Sequence, residues 1–300
     1  MMVEEKIKEY KKLNLKLAKI LKDPLSSIDE QIKAKKELYQ NKIKMLDIIH
    51  QKQELRTGVS AREYKIRVKN KVKKPKYSTG IHRLDNLFGG GFETGQFINI
   101  AGESFTGKTE LAMSICANIS NSKKVAWFNF EMGEKNFIKR LDRVLINNVQ
   151  WDNFYIDEGT RDIERLCNEI DLLAEDNYFC FGIDSRMKLQ SLKHKEEYQK
   201  YSYISSKLSE FAQTRDVLIF FINQVSEQDI KSKRLAFKSS GDQKYDSDIA
   251  LFLTLEEDKM GLKAIEDKQR YLVCNKNRQT EKTFRIPINL IEYIYKGISK

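Results

Sequence analysis

Residues 97–120 constrain this chain more than any other stretch. Residues 97–101 are a short apolar run, Phe-Ile-Asn-Ile-Ala. Residues 102–109 read Gly-Glu-Ser-Phe-Thr-Gly-Lys-Thr, and residues 110–120 (ELAMSICANIS) favour a helix. A buried strand that turns through glycines into a helix aims successive backbone N–H groups, and the positive end of the helix, at one point. The pattern G-x-x-x-x-G-K-[ST] in that strand-turn-helix context is a phosphate cradle. Gly102 and Gly107 permit the tight turn, and Glu103, Ser104, Phe105 and Thr106 complete the loop between them. Lys108 is expected to reach the β- and γ-phosphates of a nucleotide, and the Thr109 hydroxyl to ligate Mg2+. A nucleoside triphosphate with Mg2+ is the expected ligand.

The rest of the chain supplies an architecture for such a cradle. Apolar runs of strand length fall at Gln96–Ala101, Lys124–Phe130, Asn153–Ile156, Tyr178–Ile183, Val217–Asn223, Asp248–Thr254, Gln269–Asn275 and Phe284–Pro287. Helical stretches fall between the early ones, at Lys108–Ser120, Lys135–Asn148, Arg161–Glu175 and Glu197–Thr214. Continuous apolar strands are covered on both faces, and strand-helix alternation predicts an α/β sandwich with a mainly parallel sheet. In such a sheet the carboxyl ends of the strands form the ligand edge. Several strands end in polar groups there. YFCFGID ends in Asp184, placed to hold Mg2+. VAWFNFE ends in Glu131, which would polarise an attacking water, an ordinary surface carboxylate being the alternative. LIFFINQ ends in Gln224, an amide suited to sensing a γ-phosphate, or a plain turn residue. After strand Tyr271–Cys274 comes Asn-Lys-Asn-Arg, where Arg278 is placed either in solvent or as an arginine finger.

Composition removes other classes. No apolar run approaches the roughly 18 residues of a membrane-spanning helix, and the N-terminus is charged from residue 4, without a signal-peptide core. No membrane partner is expected. The four cysteines (Cys116, Cys167, Cys180, Cys274) form no C-x-x-C pair, which fits a reducing cytoplasm. The three histidines have no zinc-site spacing.

Net charge is +11, and it is unevenly placed. Residues 1–80 hold 22 Lys and Arg against 10 Asp and Glu, whereas residues 81–300 hold 32 against 33. The basic first quarter carries two apolar stripes at helical spacing: Val3, Ile7, Tyr10, Leu13, Leu17, Ile20, and then Ile28, Ile32, Tyr39, Ile43, Leu46, Ile49. Pro24 and the pairs Ser26…Asp29 and Ser27…Glu30 mark a helix start between them. These features predict a helical hairpin over 1–57, a basic linker over 58–77 and the α/β domain over 78–300. The hairpin is expected to pack on the main domain or on another copy.

From about Ser78 to Ile288 the order of motifs resembles the RecA-like P-loop ATPases, and among them the replicative DNA helicases of the DnaB type. STGIHRLDNLFGGGFETGQFINIAGESFTGKT looks like that family's entry segment and phosphate loop. WFNFEMGEKNFIKRL is similar to its strand-Glu-Met-helix segment. FGIDS, LIFFINQVSEQ, SSGDQKYDSDIALFLTLEED and YLVCNKNRQ complete the series. The resemblance implies Glu131 as catalytic carboxylate, Gln224 as γ-phosphate sensor, and Lys276 and Arg278 acting in trans on a neighbour's ATP. It implies a homo-oligomeric ring, usually of six, around single-stranded DNA, and leaves other replication proteins as further partners. GESFTGKT and LFGGGF, by contrast, are closer to RecA, RadA and KaiC-like proteins, and QTEKT replaces the Gly-rich turn usual after the helicases' arginine.

Two basic stretches follow the strand ends that face ATP. Arg186, Lys188, Lys193, Lys195 and Lys200 follow Asp184; Lys231, Lys233, Arg234, Lys238 and Lys244 follow Gln224. In RecA-like rings and filaments the equivalent loops line the DNA path, so these are candidate DNA contacts, giving sequence-independent and salt-sensitive binding; two solvated loops are the alternative. The first expectation is therefore an ATP-driven, ring-forming DNA helicase. A filament-forming RecA/RadA-like recombinase and an ATP-gated assembly factor remain as alternatives.

Overall fold

The computed structural model describes residues 2–23, 26–54, 58–70, 73–144, 151–159, 161–191, 193–194, 196–225, 246–256 and 269–289, with the side chains at 2–8, 22, 46–54, 144 and 186 outside the description. The chain divides into two compact units, Met1–Lys73 and Lys74–Lys300.

The first unit is helical: α1 (Met2–Lys22), α2 (Ile28–Glu54) and α3 (Ala61–Asn70). A reciprocal capping box starts α2. Ser27 N–H donates to Glu30 Oε2 at 2.9 Å, and Glu30 N–H donates to Ser27 Oγ at 3.3 Å. The same device, Ser60 with Glu63, starts α3, so part of the segment read as linker is helix. The seam between α1 and α2 also differs from the expected stripes. Leu17 and Ala34 are buried, with Tyr10, Asn14, Leu21, Gln31, Leu38, Asn41 and Met45 half-buried along the same faces. In contrast Ile28 (76% exposed), Ile32, Tyr39 and Ile43 face outward. On α2 the buried series 31-34-38-41-45 alternates spacings of three and four, a coiled-coil-like seam. It was masked in sequence because Gln31 and Asn41 interrupt its apolar character. Val3, Ile7, Leu46 and Ile49 fall outside the described side chains.

The second unit opens with a small antiparallel pair, β1 (Lys76–Tyr77) and β2 (Phe92–Glu93), flanking α4 (His82–Phe88). There follow β3 (Gln96–Gly102), α5 (Lys108–Ser120), β4 (Lys124–Asn129), α6 (Glu134–Val144), β5 (Phe154–Asp157), α7 (Ile163–Glu175), β6 (Tyr178–Asp184), α8 (Glu197–Arg215) and β7 (Leu218–Ile222). The last strands are β8 (Ile249–Leu255), β9 (Arg270–Asn277) and β10 (Phe284–Ile288). The main sheet has the order β10-β9-β8-β3-β7-β6-β4-β5. Pairings from β8 through β5 are parallel, and β9 and β10 extend it as an antiparallel edge. This is the mainly parallel α/β sheet that the strand-helix alternation predicts.

The pleat sorts side chains onto two cores. Ile98, Ile100, Val125, Trp127, Leu218, Phe220 and Ile222 point to one face, with Leu111 and Ile115 of α5 and Phe137 and Leu141 of α6. Phe97, Ala126, Phe128, Phe181, Ile183, Ile219 and Phe221 point to the other, under α7 and α8. The rigid two-sided sheet fixes where the polar strand ends lie.

Candidate nucleotide-binding site

The cradle forms at the carboxyl end of β3, in the centre of the sheet. Gly107 has φ +95, in the left-handed region that favours glycine, and leads directly into α5. Gly102 is held by close approach: a Cβ there would lie 2.4 Å from the Leu253 carbonyl oxygen of β8. Between them the loop binds itself. Thr106 Oγ1 donates to the Glu103 carbonyl at 2.9 Å, and Lys108 Nζ donates to the same oxygen at 2.6 Å. Phe105 stands at the tip, 80% exposed, with φ +64.

The strand order assembles the rest. Because β7 lies between β3 and β6, its end falls between the cradle and Asp184. Asn223 N–H donates to the Ile100 carbonyl at 2.8 Å, and Val225 N–H to the Gly102 carbonyl at 3.4 Å, so half-buried Gln224 sits beside the start of the loop. From the first turn of α5, Thr109 Oγ1 donates to Asp184 Oδ2 at 2.8 Å. On the far side of β6, Phe130 N–H donates to the Asp184 carbonyl at 2.6 Å, which brings the following residue, exposed Glu131, to the same edge.

Charge is unbalanced in this cluster. Asp184 is 1% exposed, and its pKa is pushed up to about 7, chiefly by burial, with the Thr109 hydrogen bond opposing the rise. Burial lowers the Lys108 ammonium's pKa, against the pull of Asp184, Glu131, Glu110 and Glu103. A buried carboxylate and its neighbours thus face a lysine that is itself desolvated. Asp184 Oδ1 is buried with no hydrogen-bond partner among the described residues. With the Thr109 hydroxyl it forms a hard-oxygen pair suited to Mg2+, which keeps several waters and takes few protein ligands. Among the described residues no group of three or more His, Cys, Asp or Glu gathers as an all-protein metal site.

The structure therefore brings Gly102–Thr109, Glu131, Asp184 and Gln224 together. Lys276 and Arg278 do not join them. Lys276 of β9 pairs with Ala250 of β8, and Arg278 bonds Asp248, N–H to carbonyl at 2.9 Å and Nη1 to Oδ1 at 3.1 Å. Asp248 in turn pairs with Phe97 at the amino end of β3. From Phe97 to Gly102 is about 16 Å of strand at ~3.3 Å per residue, so Arg278 does not reach its own chain's cradle. Of the basic candidates, Lys188 and Lys193 are exposed, and Lys193 bonds Glu164 at 2.8 Å. The Arg186 side chain, and Lys195, Lys231, Lys233, Arg234 and Lys238, lie outside the described residues. One residue was missed in sequence. Arg270, 6% exposed, donates through Nε to the Thr106 carbonyl at 3.2 Å. Its signal is an arginine at an inward position of the alternating strand Arg-Tyr-Leu-Val-Cys.

Fold and loop together have the arrangement of a P-loop domain with a RecA-like fold. Residues 77–187 match the DnaB-like helicase C-terminal domain family, so the resemblance carried by the motifs is borne out. Among solved structures, an ATPase domain is similar at TM-score 0.62 and 21% identity, covering 78% of this chain and 94% of that one. A DnaB-like replicative helicase, described with its interactions with primase, is similar at TM-score 0.61 and 18% identity over 93% of this chain and 73% of that one. A KaiC-like protein from Pyrococcus horikoshii follows at TM-score 0.54 and 17% identity, covering 72% and 94%. These likenesses concern the fold. A curated relative, the DNA repair protein RadA of Aquifex aeolicus, is 27% identical over 154 residues, half of this chain and 33% of that protein's length. Among the described residues no helix is long and apolar enough to cross a membrane.

Proposed function

We propose that this chain is the motor of a DnaB-type DNA helicase, binding ATP with Mg2+ at the β3–α5 cradle and hydrolysing it to move along single-stranded DNA. The observation that carries the reading is the Thr109–Asp184 hydrogen bond at 2.8 Å, with Glu131 and Gln224 on the same sheet edge. The cradle's N–H groups and Lys108 hold the phosphates, which frees Lys108 from the Glu103 carbonyl. Mg2+, held by Thr109 and Asp184, would neutralise charge on the β- and γ-phosphates. Glu131, close to the solvent, takes the proton of the attacking water. Gln224 donates its amide to the γ-phosphate and loses that partner on hydrolysis, at the start of the segment that carries Lys231, Lys233, Arg234 and Lys238.

A second copy completes the site. Arg278, held on Asp248, lies too far from its own chain's cradle to act on it, which supports a role in trans for it, together with Lys276, across a subunit boundary of a ring, with six subunits as the family's usual number. Lys108→Ala should abolish ATPase activity; Glu131→Gln should bind nucleotide without turnover, and normal hydrolysis by that variant would overturn the mechanism. Lys231→Ala with Arg234→Ala should weaken single-strand binding and flatten its salt dependence. The RadA match favours one competing reading, a filament-forming recombinase. Electron microscopy with a non-hydrolysable ATP analogue and single-stranded DNA separates them: closed rings support the helicase, helical filaments the recombinase.

A further inference from the structure

A phosphate cradle works only if its peptide units are turned so that N–H groups face the ligand. At Gly102 the close approach of β8 fixes the backbone, and Lys108 and Thr106 both hold the Glu103 carbonyl. The peptide between Thr106 and Gly107 has no such support from within the loop. Gly107 sits at φ +95, and glycine tolerates either orientation of the preceding peptide, so nothing in that residue resists a flip. The support comes from another element. Arg270, the first residue of β9, is paired on both sides, with Leu255 of β8 and Ile288 of β10. From this fixed position it reaches under the loop and donates through Nε to the Thr106 carbonyl at 3.2 Å.

In a trans peptide the carbonyl of one residue and the N–H of the next point in opposite directions within one plane. Holding the Thr106 carbonyl toward β9 therefore turns the Gly107 N–H away from β9. We propose that Arg270 is a positioning residue of the phosphate site, whose guanidinium sets the Thr106–Gly107 peptide so that the Gly107 N–H faces the phosphates of the bound nucleotide. The role rests on the ATP reading above and deepens it. It also ties the cradle to the β8–β9 hairpin, so affinity for nucleotide depends on a strand remote in sequence from the motif. Burying an arginine almost completely is uncommon, and here its Nε–H goes to a main-chain carbonyl of the binding loop.

Side-chain geometry offers a clean test in the full chain. Glutamine carries its Nε2 at the same number of bonds from the backbone as arginine carries Nε, so Arg270→Gln retains a donor and loses the charge. Arg270→Met fills similar space and has no donor. Titrations with Mg-ADP, and ATPase kinetics, are compared with melting of the nucleotide-free proteins. Arg270→Met should weaken Mg-ADP about tenfold, as expected for loss of one charge-assisted hydrogen bond, and raise KM for ATP with kcat within about twofold. Arg270→Gln should stay within about threefold of wild type. A merely structural arginine would lower melting temperature in both variants without separating KM from kcat. Wild-type affinity in Arg270→Met, or equal losses in both variants, overturns the role. Should Arg270→Met fail to fold, Arg270→Lys keeps the charge and displaces the donor by one bond; unchanged affinity there also overturns it. Absence of adenine-nucleotide binding by the wild type would overturn the ATP reading itself, whereas wild-type binding with an unaffected Arg270→Met overturns the Arg270 role alone.

Discussion

Replacing Asp184 with Asn should stabilise the nucleotide-free protein while abolishing magnesium-dependent hydrolysis. The carboxyl is 1% exposed at the end of β6, with Oδ2 on the Thr109 hydroxyl and Oδ1 without a hydrogen-bond partner among the described residues. Burial is the largest influence on it and raises its pKa from 3.8 to about 7. The folded chain therefore holds this proton through a pH range in which the unfolded chain has released it. Stability from this group is fully present in acid and is lost as pH rises from about 4 through about 7. A shift of about three units at ~1.4 kcal/mol each amounts to ~4 kcal/mol above the folded pKa. Asparagine avoids the buried charge, but its amide needs acceptors it does not all find, which offsets about half. A gain of ~2 kcal/mol corresponds to about 4–8 °C in melting temperature for a unit of this size. Scanning calorimetry of both proteins from pH 5 to pH 8.5 is the assay. The gap should be widest at pH 8.5 and narrow toward pH 5, where the wild-type carboxyl is protonated. A pH-independent gap, or a variant less stable than wild type at pH 8, would refute the reasoning.

Other perturbations test the packing. Gly182 faces Trp127 across the β4–β6 pair, and a Cβ on it would lie 2.3 Å from the fully buried indole; Gly182→Ala should cost about 3 kcal/mol in denaturant unfolding, largely recovered when Trp127 is also reduced to Leu. Phe105 holds φ +64 with its ring 80% exposed, so Phe105→Gly relieves strain without losing packing and should raise the melting temperature by about 1–3 °C; a lower value would contradict the strain. Thiol titration of the native protein with an aromatic disulfide should be slow at pH 8. Cys116 and Cys180 are fully buried, and burial pushes Cys167 and Cys274 up to about 12, which leaves thiolate about a thousandfold scarcer than in free cysteine. A fast-reacting thiol would show that one of these faces is open.

Much of the site was legible because its signals are local. Gly102–Thr109 needs only a strand before it and a helix after it, and β3 and α5 supply them at the expected positions. Asp184, Glu131 and Gln224 could be placed at one edge because parallel strands share a direction. The expected hairpin stripes misled for a physical reason. Helical spacing finds an apolar face, but Ile28, Ile32, Tyr39 and Ile43 are a face the hairpin leaves outward, while Ala34 lets the helices approach through a more polar seam.

The sequence alone determined which groups lie along this edge: a glycine-bounded loop with its lysine, a hydroxyl and a buried carboxylate, an exposed carboxylate, and an amide beside them. Only the tertiary structure decided which strand lies between which. The insertion of β7 between β3 and β6 places Gln224 beside the cradle, and the antiparallel return of β9 carries Arg278 to the far edge while bringing Arg270 beneath Thr106. The pairings that set β3 beside β7 and β8 join residues more than a hundred positions apart, and no local pattern encodes them.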